Sequence, residues 1–363
     1  VPKSGGQICP SIEELAEKVP EVKALVGLGV VKHRKAVVQG FLDSIVLGDM
    51  CEAGANGFTN TLRLKHRKPF VNLPSSRVDY GVDVRSCIIA KEGKKFVCSD
   101  LSSMENIWKF NYQMEFDPEY VKSQMSDDFD PHLDLAKEGC LLTDAEVYFY
   151  KIEKSGFDAS RYPKSEELDN LLNLSDVDKE LKLKEISEIR AKGKSCVYSL
   201  QYNCGVKTLA RTAGVSMKEA KVILNAYRKM NWSIDAIVQK QVRKKTSHGT
   251  YQYNPYTKLW NYLKVEKDSF STLVQSSGSY LLDIWLKFID NELSNHPMRD
   301  ELNLNYVAQA HDECLKEFND VDGYEDVVKD ILQKALDRVN EYLKVDIPFG
   351  CDTQFGYDYS QIH

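Results

Sequence analysis

No apolar run in this chain approaches the roughly 18 to 20 residues that a membrane-spanning helix requires. The longest candidate, SYLLDIWLKFI, is short and carries Asp283 and Lys287. The first residues, VPKSGGQICPSIEEL, lack the apolar centre of a secretory signal. They also lack an initiator Met, so a cut or processed end is expected. No C-x-x-C pair occurs among the nine cysteines, which argues against structural zinc and for reduced thiols in a cytoplasm-like compartment. Neither GxxxxGK[ST] nor GxGxxG is present, which removes the usual warrants for a P-loop kinase or a Rossmann enzyme. No internal repeat is visible.

What is present is a globular composition, 42% hydrophobic over 363 residues with formal net charge −6, enough for two or three subdomains. The charge is uneven. Cations gather at LRLKHRK (62–68) and QKQVRKKTSHG (239–249), acids at MSDDFD, KSEELD and in the last sixty residues. A basic track on an acidic chain is compatible with a polyanion, and composition alone leaves solvated charged faces equally open.

Periodicity predicts two amphipathic helices over 11–50 with a break at Pro20, and irregular chain over 51–84. An apolar strand is expected at KKFVCSDL (94–101) and mainly helix from 103 to 245. Residues 143–174 read as a surface insertion. A capping signature at Ser175 and Asp178 starts a further helix, with a break expected near Gly193. A long helix over 268–293, interrupted at SSGS, precedes two strands in LNLNYVAQAHDECLKEF (302–318) joined at His-Asp-Glu. An amphipathic helix covers 322–340. Helices and strands mix without βαβ alternation, so the fold class is α+β.

Two carboxylates have unusual settings. Asp100 closes an apolar strand, where a charge needs a partner or a cation, and Asp312 with Glu313 occupies the tip of the predicted hairpin. A lone strand-end acid is ordinarily a cap or turn. Two become informative if their strands are neighbours, because hard oxygen ligands suit Mg²⁺. In RAKGKSCVYSLQYNCG, Arg190, Lys194, Tyr198 and Tyr202 recur every four residues and so share one helix face. Cations at that spacing can hold adjacent phosphates, and the aromatics can lie against a sugar or base. Acids for metals and a cationic helix for a triphosphate are the parts of phosphoryl or nucleotidyl transfer.

Six segments, in order, resemble the polymerase module of the family A DNA polymerases, most closely the phage replicative branch. They are TLRLKHRKPFVNLPSSRVDYGVDVR, SDLSSMENI, DPHLDLA, RAKGKSCVYSLQYNCG, STLVQSSGSYLLDIW and AHDE. DYSQI (358–362) repeats one motif out of order and reads as coincidence. Leu62 stands where the family usually has Gly, and Asn203 and Cys204 intervene before Gly205.

The resemblance implies a right-hand palm, fingers and thumb, with an antiparallel palm sheet and mostly helical fingers. Residues 1–60 would be a partial thumb, 61–129 palm, 130–250 fingers with an insertion at about 140–188, and 251–363 palm. It implies template-directed DNA synthesis by a DNA-directed DNA polymerase that adds dNTPs to a primer 3′-OH with two Mg²⁺ ions, Mn²⁺ substituting. Asp100, Asp312 and the Leu101 backbone carbonyl are the implied metal ligands, with Glu313 as a supporting acid. Arg190, Lys194, His132, Tyr198, Tyr202 and Glu105 are implied at the nucleotide, Lys194 also acting in catalysis and Glu105 excluding a 2′-OH.

Arg63, Gln275, His311, Lys267 and Arg85 are implied at primer–template DNA. Tyr rather than Phe at 198 implies ready dideoxynucleotide use. The expected partners are primer–template DNA, dNTPs, an exonuclease domain or subunit supplied elsewhere and a processivity factor, without a membrane. The expected location is the cytoplasm, that of the host if the protein is phage-encoded. Two other readings remain open: an RNA polymerase or primase on the same fold, and a non-catalytic DNA-binding subunit.

Overall fold

The computed structural model describes residues 3–362 apart from 5, 6, 9, 49, 68–72, 202, 311 and 312. The chain forms two compact units, Val1–Met104 with Ser276–His363, and Glu105–Gln275. The fold is α+β with antiparallel sheets.

The first unit is organised on a four-stranded sheet in the order Asn305–Ala310, Glu313–Asn319, Lys94–Leu101, Cys351–Gly356. The central strand Lys94–Leu101 matches the expected run residue for residue, since Phe96, Val97, Cys98 and Leu101 are all buried. One face packs Phe96, Cys98, Ala308 and Leu315 against Tyr359 and Ile362 of the C-terminal tail. The tail sequence DYSQI is therefore a core element. Helix Tyr324–Leu343 buries Val328, Ile331, Leu332, Ala335, Leu336 and Val339, and Trp285 of helix Ser269–Ser294 donates to the Leu332 carbonyl at 3.1 Å. That helix runs unbroken through SSGS. Gly278 is required there because a Cβ would stand 2.6 Å from Met104 Cε. Near the N-terminus Pro20 starts helix Pro20–Asp43 after helix Pro10–Lys18, as proline at a first turn does. The stretch expected to be irregular contains the strand pair Ala55–Phe58 and Leu64–His66.

The second unit is mainly helical. Helix Asp176–Gln201, capped by Ser175, does not break at Gly193. Glycine is there for a close approach: a Cβ would lie 2.5 Å from the His132 carbonyl oxygen in helix Pro131–Glu138. Residues 143–174 are not surface decoration. Helices Asp144–Glu153 and Glu166–Leu172 supply Ala145, Val147, Phe149, Tyr150 and Leu168 to one core with Leu133, Ala136 and Ile186. The helical region ends at Lys240, earlier than the periodicity suggests. A three-stranded antiparallel sheet follows, with Gly249–Tyr253 between Arg243–Thr246 and Trp260–Leu263.

All eight cysteines among the described residues are free thiols. No helix among those residues is long and apolar enough to cross a membrane.

Candidate active site

The strands carrying the expected acids are neighbours. In the antiparallel register Asp100 lies opposite Glu313 on one side and opposite Asp352 on the other. Cross-strand partners project from the same face, so three carboxylates form a row over three strands. Asp100 is exposed, whereas Glu313 is buried. The Tyr359 hydroxyl donates to Glu313 Oε1 at 2.5 Å, and the Cys98 thiol points to Oε2 at 3.8 Å. Burial, and then the Glu313 charge, raise both the Cys98 and Tyr359 pKa values, so both groups stay protonated. Ser102 donates to Asp352 Oδ2 at 2.7 Å. Leu101 closes the strand with its side chain buried. Asp312 and His311 lie outside the described residues.

The described donors are carboxylate oxygens, which fit a hard cation such as Mg²⁺. Among the described residues no group of three His, Cys, Asp or Glu side chains is assembled to hold an ion.

Arg85, expected at DNA, is buried. Its Nε donates to the Pro74 carbonyl at 2.6 Å, and its guanidinium lies 5.0 Å from the Tyr359 ring centre. It supports the residue that orients Glu313 and faces away from solvent. Arg63 is half-buried in the turn before Leu64. Preceding it, Leu62 holds φ +66°, so the backbone keeps the left-handed conformation in which glycine is at ease.

In the second unit, sequence-distant residues meet on one helix face. Arg190 Nε donates to Asp130 Oδ2 at 2.6 Å. The other Asp130 oxygen accepts from the His132 and Leu133 amides, capping helix Pro131–Glu138. Burial works to raise the Asp130 pKa, but the bond from Arg190 and the two amides outweigh it, leaving the carboxyl below its ordinary value. His132 is half-buried, and its Nδ1 has no hydrogen-bond partner. Burial lowers its pKa; Asp130 opposes this, and Arg190 and Lys194 add to it, so the neutral imidazole is favoured.

Lys194 and Tyr198 lie one and two turns on, both exposed, Tyr198 at 56%. Tyr202 lies outside the described residues. Asn203, where the sequence departs from the family, takes φ +52° just past the helix end, a position for which Gly or Asn is suited. Its side-chain amide donates to the Lys267 carbonyl at 2.9 Å, and Lys267 itself is exposed.

Glu105, in the first turn of helix Met104–Gln113, lines a small cavity with Lys109, Gln201, Tyr227, Ser271 and Gln275. A neighbouring cavity of about 140 Å³ shares Tyr227 and adds Asn203, Arg228, Asn231 and Lys267. Lys109 and Tyr227 escaped sequence reasoning. Lys109 bonds Gln124 at 3.1 Å, and burial lowers its pKa to about 8. The Tyr227 hydroxyl and Asn231 Oδ1 are buried without partners. Asp130 and Tyr359 were also missed as site residues. A D-P step ahead of a helix is a legible cap signal, but nothing local marks Tyr359.

Comparison with known proteins places this geometry in context. The family model described as "DNA polymerase family A" matches residues 177–361, about half of the chain. DNA polymerase I of one Helicobacter pylori strain is 27% identical over 161 residues, 42% of this chain and 17% of that protein. The same enzyme of a second strain, J99, is 26% identical over an equal span. The chain thus spans about one sixth of the curated relatives it matches. A solved structure, the POL domain of Pol1 from M. smegmatis in complex with DNA primer-template and dNTP, superposes with a TM-score of 0.68 at 16% identity, covering 100% of this chain and 58% of that one. At that identity the likeness bears on fold.

Proposed function

Because the chain belongs to DNA polymerase family A, we propose that it carries out template-directed DNA synthesis, adding dNTPs to a primer 3′-OH. The observation that carries this reading is the register that sets Asp100 opposite Glu313, beside Asp312 in the sequence AHDE.

In this reading Asp100, Asp312 and the Leu101 carbonyl would hold two Mg²⁺ ions, replaceable by Mn²⁺. When bound, the ions acidify the primer hydroxyl and offset the charge of the triphosphate and departing pyrophosphate. Glu313 supports the pair from its buried position. Arg190 binds phosphate as a fork and Lys194 as a point charge, with His132 beside them as a neutral imidazole. Tyr198 lies against the sugar and Tyr202 at the base-pair end, while Glu105 sits under the ribose and excludes a 2′-OH. Arg63, Gln275, Lys267 and His311 are assigned to primer–template DNA. Arg85 is reassigned from DNA to the support of Tyr359, on its burial and its stacking there.

The division into palm, fingers and thumb, the phage replicative branch, the cytoplasmic location, and the exonuclease and processivity partners belong to the same proposal. An RNA polymerase or primase and a non-catalytic binding subunit are the competing readings.

Primer extension in Mg²⁺ with dNTPs or rNTPs separates them. Extension by dNTPs alone supports the proposal. Use of rNTPs supports the second reading, and binding without extension supports the third.

A further inference from the structure

The three-stranded sheet of the second unit has an inverted dress. Its register pairs Trp260 with Tyr253, Tyr262 with Tyr251, and Lys244 with Tyr251, which puts these five side chains on one face. The opposite face carries Gln252, Asn261 and Leu263, all buried. Gln252 is fixed there: its Nε2 donates to the Ser269 carbonyl at 3.0 Å, and Ser269 Oγ donates to its Oε1 at 2.5 Å. Polar groups thus point inward and aromatic rings outward, with Trp260 45% and Tyr262 40% exposed.

The rings are ordered in two cross-strand pairs. Tyr253 and Trp260 lie 5.3 Å apart between centroids, Tyr251 and Tyr262 5.6 Å. The pairs repeat every two residues, roughly 6.6 Å along the strand. Gly249 lets Tyr262 lie close on the hairpin, since a Cβ there would stand 2.6 Å from its ring. Residues 236–265 carry six Lys or Arg and no Asp or Glu, within a chain of net charge −6. Of these, Lys244 stands on the ring-bearing face, Lys240 pairs with Glu115, and Arg243 turns to Val238 and Ser269 on the other face.

We propose that this face is a binding platform for single-stranded DNA, with bases stacking on Trp260, Tyr262, Tyr251 and Tyr253 and phosphates meeting Lys244. Rings at periodic spacing give sequence-tolerant stacking, and a lysine beside them meets the phosphates of a flexible polyanion. Bases already paired in a duplex do not offer their faces, so an unpaired strand is the occupant that matches both features. The site shares no residue with those assigned above to nucleotide, metals or primer–template. It does not depend on the polymerase reading.

The test is anisotropy of a labelled dT12 oligonucleotide with the full chain, without Mg²⁺ or dNTP. Base stacking on aromatic rings carries much of single-strand affinity. The double substitution Trp260→Ala and Tyr262→Ala removes both ring pairs and is expected to lower Tm while leaving the chain folded, and to raise Kd by about 30-fold or more. Lys244→Glu should weaken binding and flatten its salt dependence by about one phosphate.

Saturating dT12 should quench tryptophan emission in the parent and not in Trp260→Phe, which keeps a ring for stacking. An unaltered Kd in the folded double variant, or equal quenching in Trp260→Phe and parent, would overturn the proposal. So would a blunt duplex that binds as tightly as dT12 and loses as much affinity on substitution. Asp100→Asn should bind dT12 as the parent does, so failure of the platform and failure of the synthetic reading remain distinguishable.

Discussion

The two larger sheets solve opposite problems with one geometry. The four-stranded sheet buries Glu313 and clamps it with Tyr359 and Cys98, leaving Asp100 exposed at the strand end opposite. The three-stranded sheet buries amides and leaves rings outside. Fixing a carboxylate demands an enclosed, hydrogen-bonded setting, because a buried charge without partners is costly. Receiving a flexible polymer demands a firm underside and an open face. Pleated strands can therefore be dressed for rigid chemistry or for tolerant contact, according to which alternate residues face the core.

Three substitutions probe this contrast. The largest effect is expected for Asp100→Asn: primer extension should fall by about a thousandfold or more, equivalent to roughly 4 kcal/mol of transition-state stabilisation, with primer–template affinity retained. Substantial residual synthesis would remove Asp100 from the reacting centre. Gln252→Ala strips the inward anchor of the second sheet, removing both of its bonds to Ser269, whose hydroxyl still accepts from Arg243. A loss of about 2–3 kcal/mol in denaturant unfolding is expected, with dT12 binding weakened alongside; unchanged stability would mean the anchor does not hold the sheet. Tyr359→Phe deletes one hydroxyl beneath Glu313. It should cost about 1–2 kcal/mol in stability and lower kcat with little change in the KM for dNTP. A change confined to KM would argue that Tyr359 positions nothing at the reacting end.

Legibility in the sequence followed the range of the contacts. KKFVCSDL was readable to the residue because its buried run, 96–99, is local and continuous up to the exposed Asp100. Gly193 and Gly278 read as breaks because glycine ordinarily weakens a helix. Each is instead a point of close approach, to His132 and to Met104, that no window of sequence contains. The strand Arg243–Thr246 was hidden by its charge, and its neighbour by amides facing inward, the reverse of the usual alternation. At the site, the beat of Arg190, Lys194 and Tyr198 was visible as one helix face. The contacts that set it, Asp130 with Arg190 across 60 residues and Tyr359 with Glu313 across 46, were not.

The Asp130–Arg190 pair carries a consequence of its own. The guanidinium already has a resting counter-ion, and that same carboxylate caps the short helix holding His132. An arriving anion therefore does not meet a bare cation. It must outbid a carboxylate, or share the guanidinium with it through the η nitrogens, so weakly charged anions gain little from the exchange. A polyphosphate, with more charge and more oxygens, gains most. On the proposed role of Arg190 at the triphosphate, selectivity for highly charged ligands is thus set before any ligand appears, by what the arginine must give up.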